Sequence, residues 1–117
     1  MTALVDENGR VVCQRLAVAG NALARMKGLL GRRSMDEDEG LLLRPAGSVH
    51  TAFMRFPIDV VFLDRTMRVV RIAPNLRPWR MAGQRGARLV LELDAGAAER
   101  NGISPGLRLR LEEGAPA

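Results

Sequence analysis

Residues 49 to 64, Val49-His50-Thr51-Ala52-Phe53-Met54-Arg55-Phe56-Pro57-Ile58-Asp59-Val60-Val61-Phe62-Leu63-Asp64, hold the single histidine of the 117-residue chain, all three phenylalanines and an isolated carboxylate. A histidine beside an aspartate can act as a general base or hold a metal ligand's tautomer, and it can equally be a satisfied structural hydrogen bond. If residues 53 to 56 form the loop of a hairpin, His50 and Asp59 stand opposite one another across it. Pro57 then lies in the returning arm, and proline is tolerated only at a strand's first residue or edge. No second histidine accompanies the pair, nor a serine or cysteine at a recognisable spacing. The structural reading therefore comes first for both residues.

The elements that must position these groups follow from the hydrophobic pattern. Ile58 to Leu63 is apolar except for Asp59, with β-branched and aromatic side chains on both alternating faces, which predicts a strand covered on both sides. Asp59 is the anomaly, since an unpaired carboxylate in an apolar setting costs several kcal/mol, roughly speaking. Its candidate donors are Arg55, the backbone N–H groups of the Met54 to Pro57 turn, and His50.

At this length one domain is expected, large enough for a core without disulfides or metals. The N-terminus has no basic region followed by an apolar run, and no apolar stretch approaches the about twenty residues that span a bilayer. The expectation is a soluble, cytoplasmic protein. Cys13, alone in Val11-Val12-Cys13, reads as a small buried hydrophobe. The formal net charge is +5, carried almost wholly by arginine, with Lys27 the one lysine. A GC-rich genome can produce that bias, and aromatics for stacking are scarce. Still, Arg65, Arg68, Arg71, Arg77, Arg80, Arg85 and Arg88 lie between Asp64 and Glu92 with no acid among them, either a solvated surface or an anion-binding face.

Taken in order, residues 9 to 16 read as a first strand after the Glu7-Asn8-Gly9 turn. Ala22 to Gly31 carries Leu23, Met26 and Leu30 at helical spacing and is the one amphipathic helix. Met35 to Glu39 is an acidic loop without the glycine and distal glutamate of a calcium site. Gly40 to Leu43 is a short strand stopped before Pro45. Arg68 to Ala73 pairs with the central strand as a hairpin. Pro74 to Gly86 is irregular, and Trp79 within it, between Pro78 and Arg80, is either the wall of a pocket or plain core. Leu89 to Leu93 alternates, with its leucines predicted inward and Val90 and Glu92 outward. Ala95 to Arg100 makes a short helix, and Leu107 to Leu111 the last strand. The resulting fold class is α+β, a small, mainly antiparallel sheet partly closed into a β-barrel-like form, with one main and one short helix. Residues 1–8 are expected as a flexible N-terminus, 9–112 as the compact domain and 113–117 as a disordered tail.

Four separated blocks, in order, resemble the small prokaryotic family of domain of unknown function 192. They are Lys27-Gly28-Leu29-Leu30-Gly31-Arg32, the His50 to Asp64 block, Pro78-Trp79-Arg80, and Val90-Leu91-Glu92-Leu93-Asp94-Ala95-Gly96 before Gly102-Ile103-Ser104-Pro105-Gly106. The resemblance covers about residues 10 to 112 and implies a compact barrel-like α+β fold; it brings no established activity. Two positions depart from the family. Met67 stands where the family commonly has a turn glycine, so a left-handed residue there costs about a kcal/mol or the turn has another shape. Leu107 stands where the family often has aspartate, which argues against a catalytic role for that position.

Three functions remain in play. The first is a small-ligand-binding or accessory domain with a pocket lined by His50, Met54, Arg55, Asp59, Trp79 and Arg80, whose arginines favour a small anionic or polar molecule. The second is a small RNA-binding barrel using the Arg65 to Arg88 segment. The third is a hydrolase-type enzyme with a His50/Asp59 general base. No catalytic residue, metal or cofactor is assigned, no membrane partner is expected, and the oligomeric state is left open.

Overall fold

The computed structural model describes residues 2–20 and 29–114. Along the chain lie strands β1 (Thr2–Asp6), β2 (Val11–Cys13), β3 (Arg15–Ala19), β4 (Glu39–Leu43), β5 (Ser48–His50), β6 (Ile58–Leu63), β7 (Val69–Leu76), β8 (Met81–Gly83), β9 (Leu89–Asp94), helix α1 (Ala97–Arg100) and β10 (Leu109–Glu113). They form a five-stranded sheet in the order β3-β4-β9-β6-β7, a three-stranded sheet β10-β1-β2 and a two-stranded ribbon β5-β8. Pairing is antiparallel except between β3 and β4, which run parallel. This is an α+β-like, mainly β architecture, and no closed barrel is found among the described strands. The amphipathic helix expected over Ala22 to Gly31 falls largely outside the described residues.

β6 is buried at every residue and lies between β9 and β7. Its alternation divides the core into two layers. Val61 and Leu63 join Leu91 and Leu93 of β9, Leu42 of β4, and Leu4, Val12 and Leu109 of the three-stranded sheet. Ile58, Val60 and Phe62 face the other way, with Val90, Leu43, Met54 and Phe56. The expectation of a flexible stretch over residues 1–8 is corrected for residues 2–6. Leu4 and Val5 supply apolar surface that only burial satisfies, and β1 becomes the middle strand between β10 and β2.

A second correction concerns β9. Val90 and Glu92 do not face solvent, because β9 is an interior strand covered on both faces, and Glu92 is only 3% exposed. Its carboxyl makes no hydrogen bond to a described residue, and loss of water pushes its pKa up to about 7. By contrast, the turn from Asp64 to Met67 matches its expected cost. Met67 adopts a left-handed φ of 68°, and the Asp64 carboxylate accepts from the Thr66 and Arg68 backbone N–H groups to hold the turn. Cys13 is buried, and desolvation pushes its thiol up to about 11, so it behaves as the apolar residue predicted.

Asp59 faces the same layer as Val61 and is fully buried. Its Oδ1 accepts from the Asn75 N–H at 2.9 Å, and its Oδ2 accepts from the Gly96 and Ala98 N–H groups, each at 3.0 Å. None of the predicted donors is used. One carboxylate instead joins β6, β7 and the start of α1.

Two outcomes follow. Asp59→Ala leaves three backbone donors without their acceptor, and urea unfolding should show a loss of at least about 3 kcal/mol. For Glu92, the folded chain holds a proton between pH 4.5 and about 7 that the unfolded chain has released. Stability therefore falls as pH rises through that window, by an amount on the order of 3 kcal/mol. Urea midpoints at pH 5 and 8.5 should show this fall in the native chain and a flat response in Glu92→Gln.

Candidate functional site

The candidate surface is built on the ribbon β5-β8, where His50 stands opposite Met81 and Ser48 opposite Gly83. Both strands run into irregular segments tied together by Thr51, which is fully buried. The Thr51 N–H donates to the Arg80 carbonyl at 2.8 Å, and its carbonyl accepts from the Met54 N–H at 3.1 Å and the Trp79 N–H at 3.0 Å. Its hydroxyl donates to the Arg77 carbonyl at 2.5 Å and accepts from the Arg80 N–H at 2.8 Å. A single short side chain thus supplies what a longer strand pairing would otherwise supply.

Beyond Thr51 the chain alternates sharply. Met54 and Phe56 enter the core, while Phe53 and Arg55 remain outside. Phe53 and Trp79 both adopt left-handed φ, 64° and 63°, a conformation that costs a large side chain about 1 kcal/mol or more. Their rings meet with centroids 4.6 Å apart at an interplanar angle of 59°, a tilted contact. Phe53 is 71%, Trp79 60% and Met81 80% exposed, against 37–45% for the other exposed large hydrophobics. Strained backbone at Phe53 and Trp79, together with Met81 in β8, thus holds the most exposed large apolar side chains of the described residues at one ribbon end.

The segments that carry them also carry exposed basic residues. His50, Arg55, Arg77 and Arg80 are exposed. Arg55, Arg77, Arg80 and Arg85 form no salt bridge with a described residue. Arg71 donates from Nη1 to the Gly83 carbonyl at 3.0 Å, which places a further guanidinium at the far end of β8. Desolvation is slight here, so these cations remain available to an anion without first breaking an ion pair.

The predicted site residues therefore divide. His50, Trp79 and Arg80 meet through the ribbon and Thr51, and Arg55 is exposed two residues beyond Phe53. Met54 lies beneath the surface in the core. Asp59 belongs elsewhere, its oxygens taken by Asn75, Gly96 and Ala98 beside a hollow lined by Pro74, Glu99 and Ile103. The His50–Asp59 hairpin pair is not formed. β5 pairs with β8 while β6 pairs with β7 and β9, and the Thr51–Met54 turn sends the two segments to different neighbours. Asp59 thus cannot orient His50, which has no hydrogen-bond partner among the described residues.

Phe53 and Met81 belong to this surface and Thr51 is buried beneath it, though the sequence did not single them out as site residues; Arg77, also exposed here, was named only within the Arg65 to Arg88 segment. Phe53 offered a signal, an aromatic in the expected loop. Thr51 offered none.

Residues 3–111 match the family model DUF192, described as Uncharacterized ACR. A protein of unknown function from Novosphingobium aromaticivorans DSM 12444 has a similar crystal structure, with 26% sequence identity, a TM-score of 0.80, and coverage of 93% of this chain and 82% of that one. A candidate transcription regulator from Sinorhizobium meliloti 1021 is similar at 28% identity and a TM-score of 0.80, covering 93% of this chain and 90% of that one. A search among curated proteins finds no match. No helix among the described residues is long and apolar enough to cross a membrane.

Thr51→Val keeps the shape of the side chain and removes its hydroxyl, leaving the Arg80 N–H and Arg77 carbonyl unpaired. We expect a loss of about 2 kcal/mol in urea unfolding. The near-ultraviolet signal of Trp79 should weaken at denaturant concentrations where the sheet's far-ultraviolet signal is intact.

Proposed function

Because the chain belongs to the DUF192 family, whose description carries no activity, we propose from its geometry that it is a binding module whose ligand joins a flat ring to a phosphate. The observation that carries this reading is the Phe53–Trp79 pair, exposed and held in left-handed backbone, with Arg55, Arg77 and Arg80 exposed in the segments that carry the two rings. An exposed ring face takes a nucleobase by stacking, worth about 1–3 kcal/mol per base. Arg55, Arg77 and Arg80 can meet phosphate oxygens through charge-assisted, forked hydrogen bonds. The combination describes a nucleotide unit, and it keeps the expected small anionic or polar character of the partner while moving the site from a pocket to a surface.

Two further points support the reading. Residues 65 to 91 contain no acid, so nothing in that segment repels phosphate. The Sinorhizobium relative is described as a candidate transcription regulator. The general-base reading lacks such support, since the pairing it needed is absent.

Trp79 is the only tryptophan, so its emission reports the site without a label. Titration with uridine monophosphate and with a mixed-sequence RNA octamer should quench it in at least one case. Phe53→Ala, which leaves the reporter in place, should weaken binding about tenfold. Unchanged emission with both ligands would overturn the reading.

A further inference from the structure

Resting on that reading, we infer that the ligand is a single-stranded nucleic acid several nucleotides long, crossing the Phe53–Trp79 step and continuing along β8 toward Arg71 and Arg85. Shape carries the first part of the argument. A site for one free nucleotide is concave and covers most of its ligand. Side chains 60–80% exposed cannot do this, and each can bury only one face of one base. Useful affinity must then be the sum of several weak contacts along a chain that enters and leaves freely.

Ring geometry selects the unpaired form. Bases in a duplex are parallel and stacked on their neighbours, with their faces inaccessible. The two rings here are tilted by 59°, so bases laid on them are splayed apart, as in an unstacked strand bent over a step. Two successive bases on such a step separate at the phosphate between them, and the segments that carry the two rings also carry exposed Arg55, Arg77 and Arg80.

Charge gives the path its direction. From Met81 to Gly83 the strand advances roughly 7 Å. At that far end the Arg71 guanidinium is fixed on the Gly83 carbonyl, and exposed Arg85 follows in the next turn. The segment from residue 65 to 91, which carries this line, contains no acid. A protein partner would also use tryptophan, methionine and arginine. A protein partner that is neutral or basic would gain little from a path of cations without any carboxylate, whereas a phosphate backbone gains at every step.

The test compares uridine monophosphate with uridine oligomers of two, four and six nucleotides, in ribo and deoxyribo forms, read by Trp79 quenching at several salt concentrations. A fully paired hairpin duplex serves as a control. We expect affinity to rise at least about tenfold from one to six nucleotides. The duplex should bind more weakly than the hexamer, and the logarithm of affinity should fall with that of salt at a slope of about −2. Arg85→Ala should make that slope shallower by about 0.7 and leave the mononucleotide unaffected. Either sugar form binding with this length dependence supports the inference, and the comparison assigns the strand as RNA or DNA. If the mononucleotide binds as tightly as the hexamer, the inference fails and the nucleotide-binding reading stands. Equal binding of the duplex also overturns it. If no ligand quenches Trp79, both fail together.

Discussion

The bond set around Asp59 is the constraint on which the rest of this structure depends. A buried carboxylate is tolerable only when donors replace the water it has lost, and here three backbone N–H groups do so from two directions. Asn75 supplies one at the end of β7, and Gly96 and Ala98 supply two at the start of α1. Each donor is itself a backbone group that would be costly to leave unpaired. The polar cost of the carboxylate and that of the loops therefore offset each other. Because β6 is bonded on both edges, fixing its first turn also fixes where β7 and β9 end.

Thr51 plays the same part at smaller scale on the opposite side of the Pro57 bend. Its three polar groups gather the ends of two irregular segments, so the ribbon needs only three paired residues per strand. This economy has a consequence for Phe53 and Trp79. Left-handed backbone at two bulky residues is unfavourable by about 1 kcal/mol or more each. Exposed apolar rings gain nothing from the core in return. Stability alone would select glycine at both positions and polar side chains on the surface. The proposed binding role gives this arrangement a reason, since it needs the rings outside and in fixed orientation.

Much of the fold is legible in the sequence because local pattern decides it. The apolar faces of β6, the β6–β7 hairpin, the strained turn at Met67 and the short helix α1 all follow from period and turn chemistry. What escapes is set by partners distant in the chain. Val90 and Glu92 look like the wet face of an alternating strand, and only the placement of β9 between β4 and β6 buries them. Thr2–Asp6 was expected to be flexible, and what makes it a strand is its pairing with β10, more than a hundred residues away. The parallel β3–β4 pairing leaves no mark in either strand. At the site, the concentration of His50, Arg55, Trp79 and Arg80 was visible, but their common surface was not, since it hangs on a single threonine. Asp59 was correctly marked as needing donors, and the donors came from loops that no symmetry argument could identify.

Charge segregation is where fold and site meet. The acids of the described residues are largely committed away from the ribbon. Asp36 and Asp38 engage Arg15, Glu39 engages Arg32, Asp94 engages Arg100 and Glu112 engages Arg110. Asp59 and Asp64 are turned onto backbone donors. From Arg65 to Arg88 the cations have no acid in their own segment, and a surface with such an excess of one sign carries some cost in self-repulsion. Counterions relieve part of that repulsion, and a polyanion that displaces them gains their release as well. Neutral or cationic partners would instead leave it in place. On the proposed reading, the same distribution that gives the fold its pairs elsewhere thus leaves one aromatic-tipped face whose electrostatics would improve on binding a phosphate backbone.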